Sequence, residues 1–200
     1  RWVEMMNETS EAVIYHSVSG LSVHAVLNGN TESGPGWGDF GAVVKMKRDE
    51  HWEKWRAMSS RWFSQDDFAN HLRDLGRDIA EPAQAVITDL VENLEVHTKV
   101  TAGFRVNAQS GTRRIKWDEE QSTTTPVPEK FKLRLPVFRG SARVVTVQVW
   151  LNYKAAAGSL QWQVQIDDPA GAEESAWDAE ISEMKKVAPD WLEKRIFAKG

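Results

Sequence analysis

The sequence contains no cysteine, and this absence removes several kinds of site at once. Without a thiol the chain cannot form a disulfide, bind zinc through thiolates or use a cysteine nucleophile. No apolar run approaches the roughly 18 residues that a membrane-spanning helix requires, and no signal peptide is visible. We therefore expect a cytoplasmic protein with no membrane partner. The chain starts at Arg1 rather than at methionine, which predicts that it is part of a longer polypeptide.

The common catalytic and ligand-binding motifs are also missing. The five histidines are dispersed, and no His-x-His or His-Glu-x-x-His spacing supports a metal site. Neither a Gly-x-Ser-x-Gly motif nor a phosphate-binding P-loop occurs. Adjacent acidic pairs such as Asp66 and Asp67 point apart on a regular element, so they are poor partners in acid–base catalysis. These absences predict no cofactor and no metal, and they favour a protein that is not an enzyme.

Tryptophan, by contrast, is abundant, with ten in 200 residues. Each indole buries a large area, but its N–H needs an acceptor. Such an excess is typical of aromatic core packing, of interface anchors, or of both. Trp37 follows a Gly/Pro turn, and Trp52 and Trp55 lie in a short predicted helix. We predict that these three residues are interface anchors in a homo-oligomer.

The net charge of −4 hides an uneven distribution along the chain. Residues 1–95 carry a net charge of −7, residues 96–154 of +7 and residues 155–200 of −4. A basic middle region between acidic ends can attract nucleic acid. The alternative is that the acidic parts cover the basic part, within one subunit or between subunits.

Hydrophobic periodicity divides the chain into groups of strands and helices. Apolar alternation predicts strands over residues 12–18, 21–27, 40–46, 96–106, 113–119, 131–137, 145–153 and 160–166. Helical spacing and capping residues predict helices over 49–58, from Ser64 onward, from Pro82 onward and over 173–187, with a short tail helix after Pro189.

This order predicts an α+β fold rather than alternating βαβ units. We expect mainly antiparallel sheet, with about seven or eight strands in two groups, helices inserted between the groups and a C-terminal helix. The whole chain, 1–200, is predicted to form one domain. Residues 1–95 supply the N-terminal hairpin, a strand and helices, residues 96–168 the basic antiparallel strands, and residues 173–197 the C-terminal helix.

The basic strands carry their cations on one face, opposite the apolar side chains of the same strands. With Trp117 and Trp150 within reach, such a face can bind a nucleic acid strand through its phosphates and by base stacking. The alternative is a solvated sheet face, or one paired with the acidic helices of a neighbour. The candidate nucleic-acid contacts are Arg113, Arg114, Lys116, Lys132 and Arg134.

A family resemblance begins at the Gly/Pro turn. The segment PGWGDFGAVVKMKRDEHWEKW, which holds Trp37 and the paired Trp52 and Trp55, resembles the YfdQ-like family of phage and prophage proteins. The segments SQDDFANHL, DIAEPAQA and PEKFKLRLPVFRG match the family in the same order, so the similarity spans about residues 25–190. Phe40 stands where the family commonly has histidine. The resemblance implies an accessory protein in the cytoplasm of a bacterial host, and it supplies no catalytic residues.

Three hypotheses about function follow. The first is a non-enzymatic, self-assembling phage or prophage accessory protein. The second is a protein that binds single-stranded nucleic acid or nucleotides in phage recombination or counter-defence. The third is an enzyme with an unrecognised site, which would require a concave pocket holding several titratable groups with shifted pKa values.

Overall fold

The computed structural model describes residues 12–29, 34, 36–38, 40–94, 127–156 and 159–198. These residues form the strands β1 (Val13–Ser17), β2 (Ser22–Val26), β3 (Gly41–Lys45), β4 (Trp62–Ser64), β5 (Ile79–Glu81), β6 (Lys130–Leu135), β7 (Val145–Ala156), β8 (Ser159–Ile166) and β9 (Ile196–Ala198). They also form the helices α1 (Glu50–Met58), α2 (Gln65–Leu75), α3 (Gln84–Asn93), α4 (Pro169–Val187) and α5 (Asp190–Glu193). The predicted α+β class is confirmed.

The strands form two sheets. The first has four strands in the order β3-β2-β1-β9, in which β3, β2 and β1 are antiparallel neighbours and β9 runs parallel to β1. The second has five strands in the order β4-β8-β7-β6-β5, all antiparallel. Its edge strands β4 and β5 come from the first half of the chain and its centre from the second half, so one sheet joins both halves.

The core lies on one face of the five-stranded sheet. Along β6, Phe131, Leu133 and Leu135 are buried while the alternate residues are exposed, as the period of two requires. Helices α1 and α2 contact β8, and α4 contacts β7. The ring of Phe68 on α2 stacks on Trp162 of β8, with centroids 5.9 Å apart and an interplanar angle of 6°. This face is therefore covered by helices, whereas the other face is polar.

Capping residues in the sequence predict the starts of α1 and α2 correctly. Asp49 caps α1 by accepting a hydrogen bond from the backbone N–H of His51, at 2.9 Å. Ser64 caps α2 by accepting from the backbone N–H of Asp67. Both caps satisfy backbone donors that have no partner inside the helix. No helix in the described part of the chain has the length and apolar character that crossing a membrane requires.

Three predicted elements differ from the structure. Helix α4 begins at Pro169, four residues before the predicted start at residue 173. Pro82 does not lie in the first turn of a helix, because Glu81 still pairs with Lys132 in the sheet and α3 begins only at Gln84. The predicted tail helix is only the short α5, and Ile196 then enters a strand beside β1. The predicted strands 96–106 and 113–119 lie outside the described residues.

Candidate functional site

Trp52 and Trp55 of α1 are fully buried within the chain itself. The indole N–H of Trp52 donates to Oε1 of Glu173 at 2.9 Å, and that of Trp55 donates to Oδ2 of Asp78 at 3.0 Å. Each ring therefore has its acceptor inside the fold and leaves no surface for a partner. This burial corrects the assignment of both residues as interface anchors, because they attach α1 to the rest of its own chain.

Glu173 is the buried centre of an ion cluster that joins α4 to α1. Arg48 binds it with two hydrogen bonds of 2.9 Å, from Nε to Oε1 and from Nη2 to Oε2, and Nη1 of Arg56 lies 2.9 Å from Oε1. Burial raises the pKa of Glu173, but the hydrogen bonds from Arg48 and Trp52 and the two guanidinium charges outweigh it and hold the pKa below its usual value. The carboxylate is therefore stabilised in its charged form.

The buried carboxylate of Asp78 is the centre of a second network, which includes His51 of α1. Its Oδ2 lies 2.7 Å from Nδ1 of His51, and Nε2 of the same ring contacts Nη2 of Arg77. A guanidinium only donates, so Nε2 must be the acceptor and Nδ1 must carry the proton that is donated to Asp78. His51 therefore lies between the buried carboxylate of Asp78 and the exposed guanidinium of Arg77, and both of its ring nitrogens have protein partners.

An open cleft of about 540 Å³ lies next to this network. It is lined by Leu21, Met46, Lys47, Arg48, Asp49, Glu50, His51, Glu53, Arg77 and Arg139. Both nitrogens of His51 already have protein partners, and Arg48 is held by Glu173. We infer that the cleft is the solvent-exposed side of the two networks centred on Glu173 and Asp78, and that these networks are structural. Among the described residues, no group of three or more His, Asp or Glu side chains is placed to hold a metal ion.

Trp37 is 90% exposed, in contrast to the buried Trp52 and Trp55. A Cβ on Gly36 would lie 2.2 Å from the carbonyl oxygens of Asn28 and Gly29, so only glycine fits beside that loop. Gly38 has a φ of +66°, a backbone conformation that favours glycine. The turn thus presents Trp37 to the surroundings, as its sequence predicts.

Strand β3 follows this turn and lies at one edge of the four-stranded sheet. Phe40 is 66% exposed, Val43 55% and Val44 61%. Val43 and Val44 are consecutive in a strand, so their side chains point to opposite faces. Hence no described residue buries either face of β3, and large apolar side chains are exposed there together with Trp37.

The backbone of β3 also offers hydrogen bonds outward. The carbonyl of Phe40 accepts from Leu27, and the N–H of Met46 donates to Leu21. Residues 40, 42, 44 and 46 therefore direct their backbone groups to β2, and residues 41, 43 and 45 direct theirs to the open edge. Among the described residues no strand pairs with that edge.

The predicted nucleic-acid contacts are only partly placed by the structure. Lys132 and Arg134 are exposed on the polar face of β6, as predicted. Nζ of Lys132 lies 2.6 Å from Oε2 of Glu81 on the neighbouring strand. The other three predicted contacts lie outside the described residues; they are Arg113, Arg114 and Lys116.

Comparison with known proteins adds a family. The family model described as "Uncharacterized conserved protein (DUF2303)" matches residues 1–189. The chain belongs to the DUF2303 family. No curated protein and no solved structure matches it. In this DUF2303 chain both buried tryptophan–carboxylate pairs lie within the matched region.

Part of the polar face of the five-stranded sheet is not among the predicted nucleic-acid contacts of this DUF2303 chain. Nζ of Lys130 lies 3.6 Å from the ring centroid of Trp150, and Nζ of Lys154 lies 4.1 Å from that of Trp62. Lys154 and Trp150 share a face of β7 because they are four residues apart, a signal that was available in the sequence. Trp62 lies in the three-residue strand β4, which is too short to show a period.

Proposed function

We propose that this chain is a non-enzymatic protein that assembles with copies of itself through the edge of β3. The observation that carries the proposal is that β3 exposes apolar side chains on both faces and backbone groups along its edge. An open edge of this kind is a template for pairing with another strand. A second copy of the chain supplies both a strand that pairs with the edge of β3 and apolar side chains that contact those of β3.

Within the described residues, β3 contains neither a proline nor a bulge, which are two of the features by which proteins prevent such pairing. Edge strands are often blocked by proline, by a bulge, by charged side chains or by a covering helix or loop. The sequence of β3 is Gly-Ala-Val-Val-Lys, so its single charge, Lys45, is at one end. The centre of the strand therefore carries no charge that would oppose pairing.

Self-pairing of β3 also avoids a clash of charges. In an antiparallel pair related by a two-fold axis at Val43, this residue faces its own copy and Lys45 faces Gly41 of the other copy. Like charges directly opposite each other would be destabilising, and this register has none. The outward N–H and C=O groups of Val43 match those of its copy.

The setting of the assembly follows from the resemblance to YfdQ-like proteins. We propose that the chain is a phage or prophage accessory protein that works in the cytoplasm of its bacterial host. The buried networks of His51 and Glu173 support a structural building block rather than a catalyst, because their polar atoms are satisfied by protein partners.

Light scattering coupled to size exclusion tests the assembly. The chain should have a molar mass well above 22.6 kDa at micromolar concentrations. Val43→Pro should reduce that mass, because it removes the outward N–H of residue 43 while leaving the hydrogen bonds between β2 and β3 intact. Trp37→Ser should weaken assembly by removing exposed apolar surface.

Val43→Thr is the matched control, because it keeps the backbone N–H and the branched shape of valine. It should retain more of the assembly than Val43→Pro does. A mass of one subunit for the unmodified chain at every concentration would refute the proposal. Equal assembly of the proline and threonine variants would refute the role of the β3 edge.

A further inference from the structure

We infer that the polar face of the five-stranded sheet binds single-stranded nucleic acid, with Trp62 and Trp150 as stacking platforms. This face is the side opposite the helices and is distinct from the β3 edge. Its cations Lys130, Lys132, Arg134 and Lys154 are exposed, and Trp150 and most of the amide side chains at its centre are half-buried. The inference does not depend on assembly.

The strand register brings the two indoles onto one surface. Trp62 pairs with Gln163 of β8, Gln163 pairs with Asn152 of β7, and Trp150 lies two residues from Asn152. Two strand spacings and two residues separate the tryptophan Cα atoms by on the order of 12 Å. That span covers about three stacked nucleotides at ~3.4 Å each, so one strand can contact both rings.

Each indole already holds a cation over its ring. Nζ of Lys130 lies 3.6 Å from the centroid of Trp150, and Nζ of Lys154 lies 4.1 Å from that of Trp62. Both lysines are exposed, so the cation–π contact is of the weak, solvated kind. Stacking of a base on the ring is worth more than such a contact. A base of the bound nucleic acid can therefore displace each lysine ammonium from its ring, and the ammonium can then form an ion pair with a phosphate.

The positive charge of this polar sheet face favours binding of a polyanion. Its cations are Lys130, Lys132, Arg134 and Lys154, and its one carboxylate among the described strand residues is Glu81, which is paired with Lys132. Between the cations lie side chains that can hydrogen-bond to bases without adding charge, namely Gln148, Asn152, Gln161, Gln163 and Gln165. Tryptophan and amide side chains alone would also suit a neutral oligosaccharide, but the surplus of cations favours nucleic acid.

Fluorescence anisotropy with a labelled oligothymidylate tests the inference. The unmodified chain should bind the strand with an affinity that falls as salt rises. Trp62→Ala and Trp150→Ala should each weaken binding by about tenfold. The double variant Lys130→Gln with Lys154→Gln keeps both rings, and it should lower the slope of log K against log salt by about 1.4, since each phosphate contact on a single strand contributes about 0.7.

A second double variant is the matched control. Lys54→Gln with Lys186→Gln removes the same charge from exposed positions on α1 and α4, on the helical side of the sheet. Its affinity and salt slope should stay close to those of the unmodified chain. Equal effects of the two lysine pairs, or no oligonucleotide binding at low salt, would overturn the inference. Preferential binding of a neutral oligosaccharide would also overturn it.

Discussion

The buried tryptophan–carboxylate bonds should stabilise the fold by an amount that a matched substitution can isolate. Trp52 and Trp162 are both fully buried, and phenylalanine removes the same atoms from each. Trp52 loses a hydrogen bond of 2.9 Å to Glu173, whereas the indole N–H of Trp162 has no acceptor among the described residues. Hydrogen bonds to charged groups contribute about 1.5–3 kcal/mol. Because Glu173 keeps its two arginines, we expect Trp52→Phe to cost about 2 kcal/mol more than Trp162→Phe.

Urea unfolding followed by far-ultraviolet circular dichroism measures this difference. All variants should be compared at one protein concentration, because assembly makes the apparent stability depend on concentration. Trp55→Phe, which loses its bond to Asp78, should behave like Trp52→Phe. Equal losses at Trp52 and Trp162 would refute the claim that the carboxylate bonds, rather than ring packing alone, hold α1 in place.

The Glu173 cluster should also make the protein sensitive to acid. The native pKa of Glu173 lies below its usual value. Its stabilising contribution is therefore complete above the unfolded value of about 4.3, and it is lost as the pH falls through the native pKa. Glu173→Gln should flatten this part of the pH dependence in urea melts, and an unchanged acid slope would contradict the assignment. Ser64→Ala should lower the free energy of unfolding by about 1 kcal/mol by removing the cap of α2, and a loss near zero in the same melts would show that the cap is dispensable.

Elements with a local signal could be predicted from the sequence. The strands around Val23 and Val147 alternate between apolar and polar residues. The capping residues Asp49 and Ser64 predict the two helices that follow them. These features depend on residues within a few positions of one another, so a sequence window contains them.

Elements defined by distant partners could not be predicted. Strands β4, β5 and β9 have three residues each and exist because a longer strand lies beside them. Trp52 is buried against a hydrogen-bond acceptor, Glu173, that is 121 residues away in the sequence. The high tryptophan content is therefore compatible with both core packing and interface contacts. Only the fold shows that Trp37 is exposed whereas Trp52 and Trp55 are buried.

Site-specific cross-linking tests the self-assembly claim most directly, because the chain has no native cysteine. In the proposed pair, the two copies of residue 43 face each other with Cα atoms about 5.5 Å apart, within the range that a disulfide can bridge. Val43→Cys should form a disulfide-linked dimer under mild oxidation. Val44→Cys should not, because its two copies are offset along the strands by roughly 7 Å. No dimer from Val43→Cys, or equal dimer from both variants, would contradict the account.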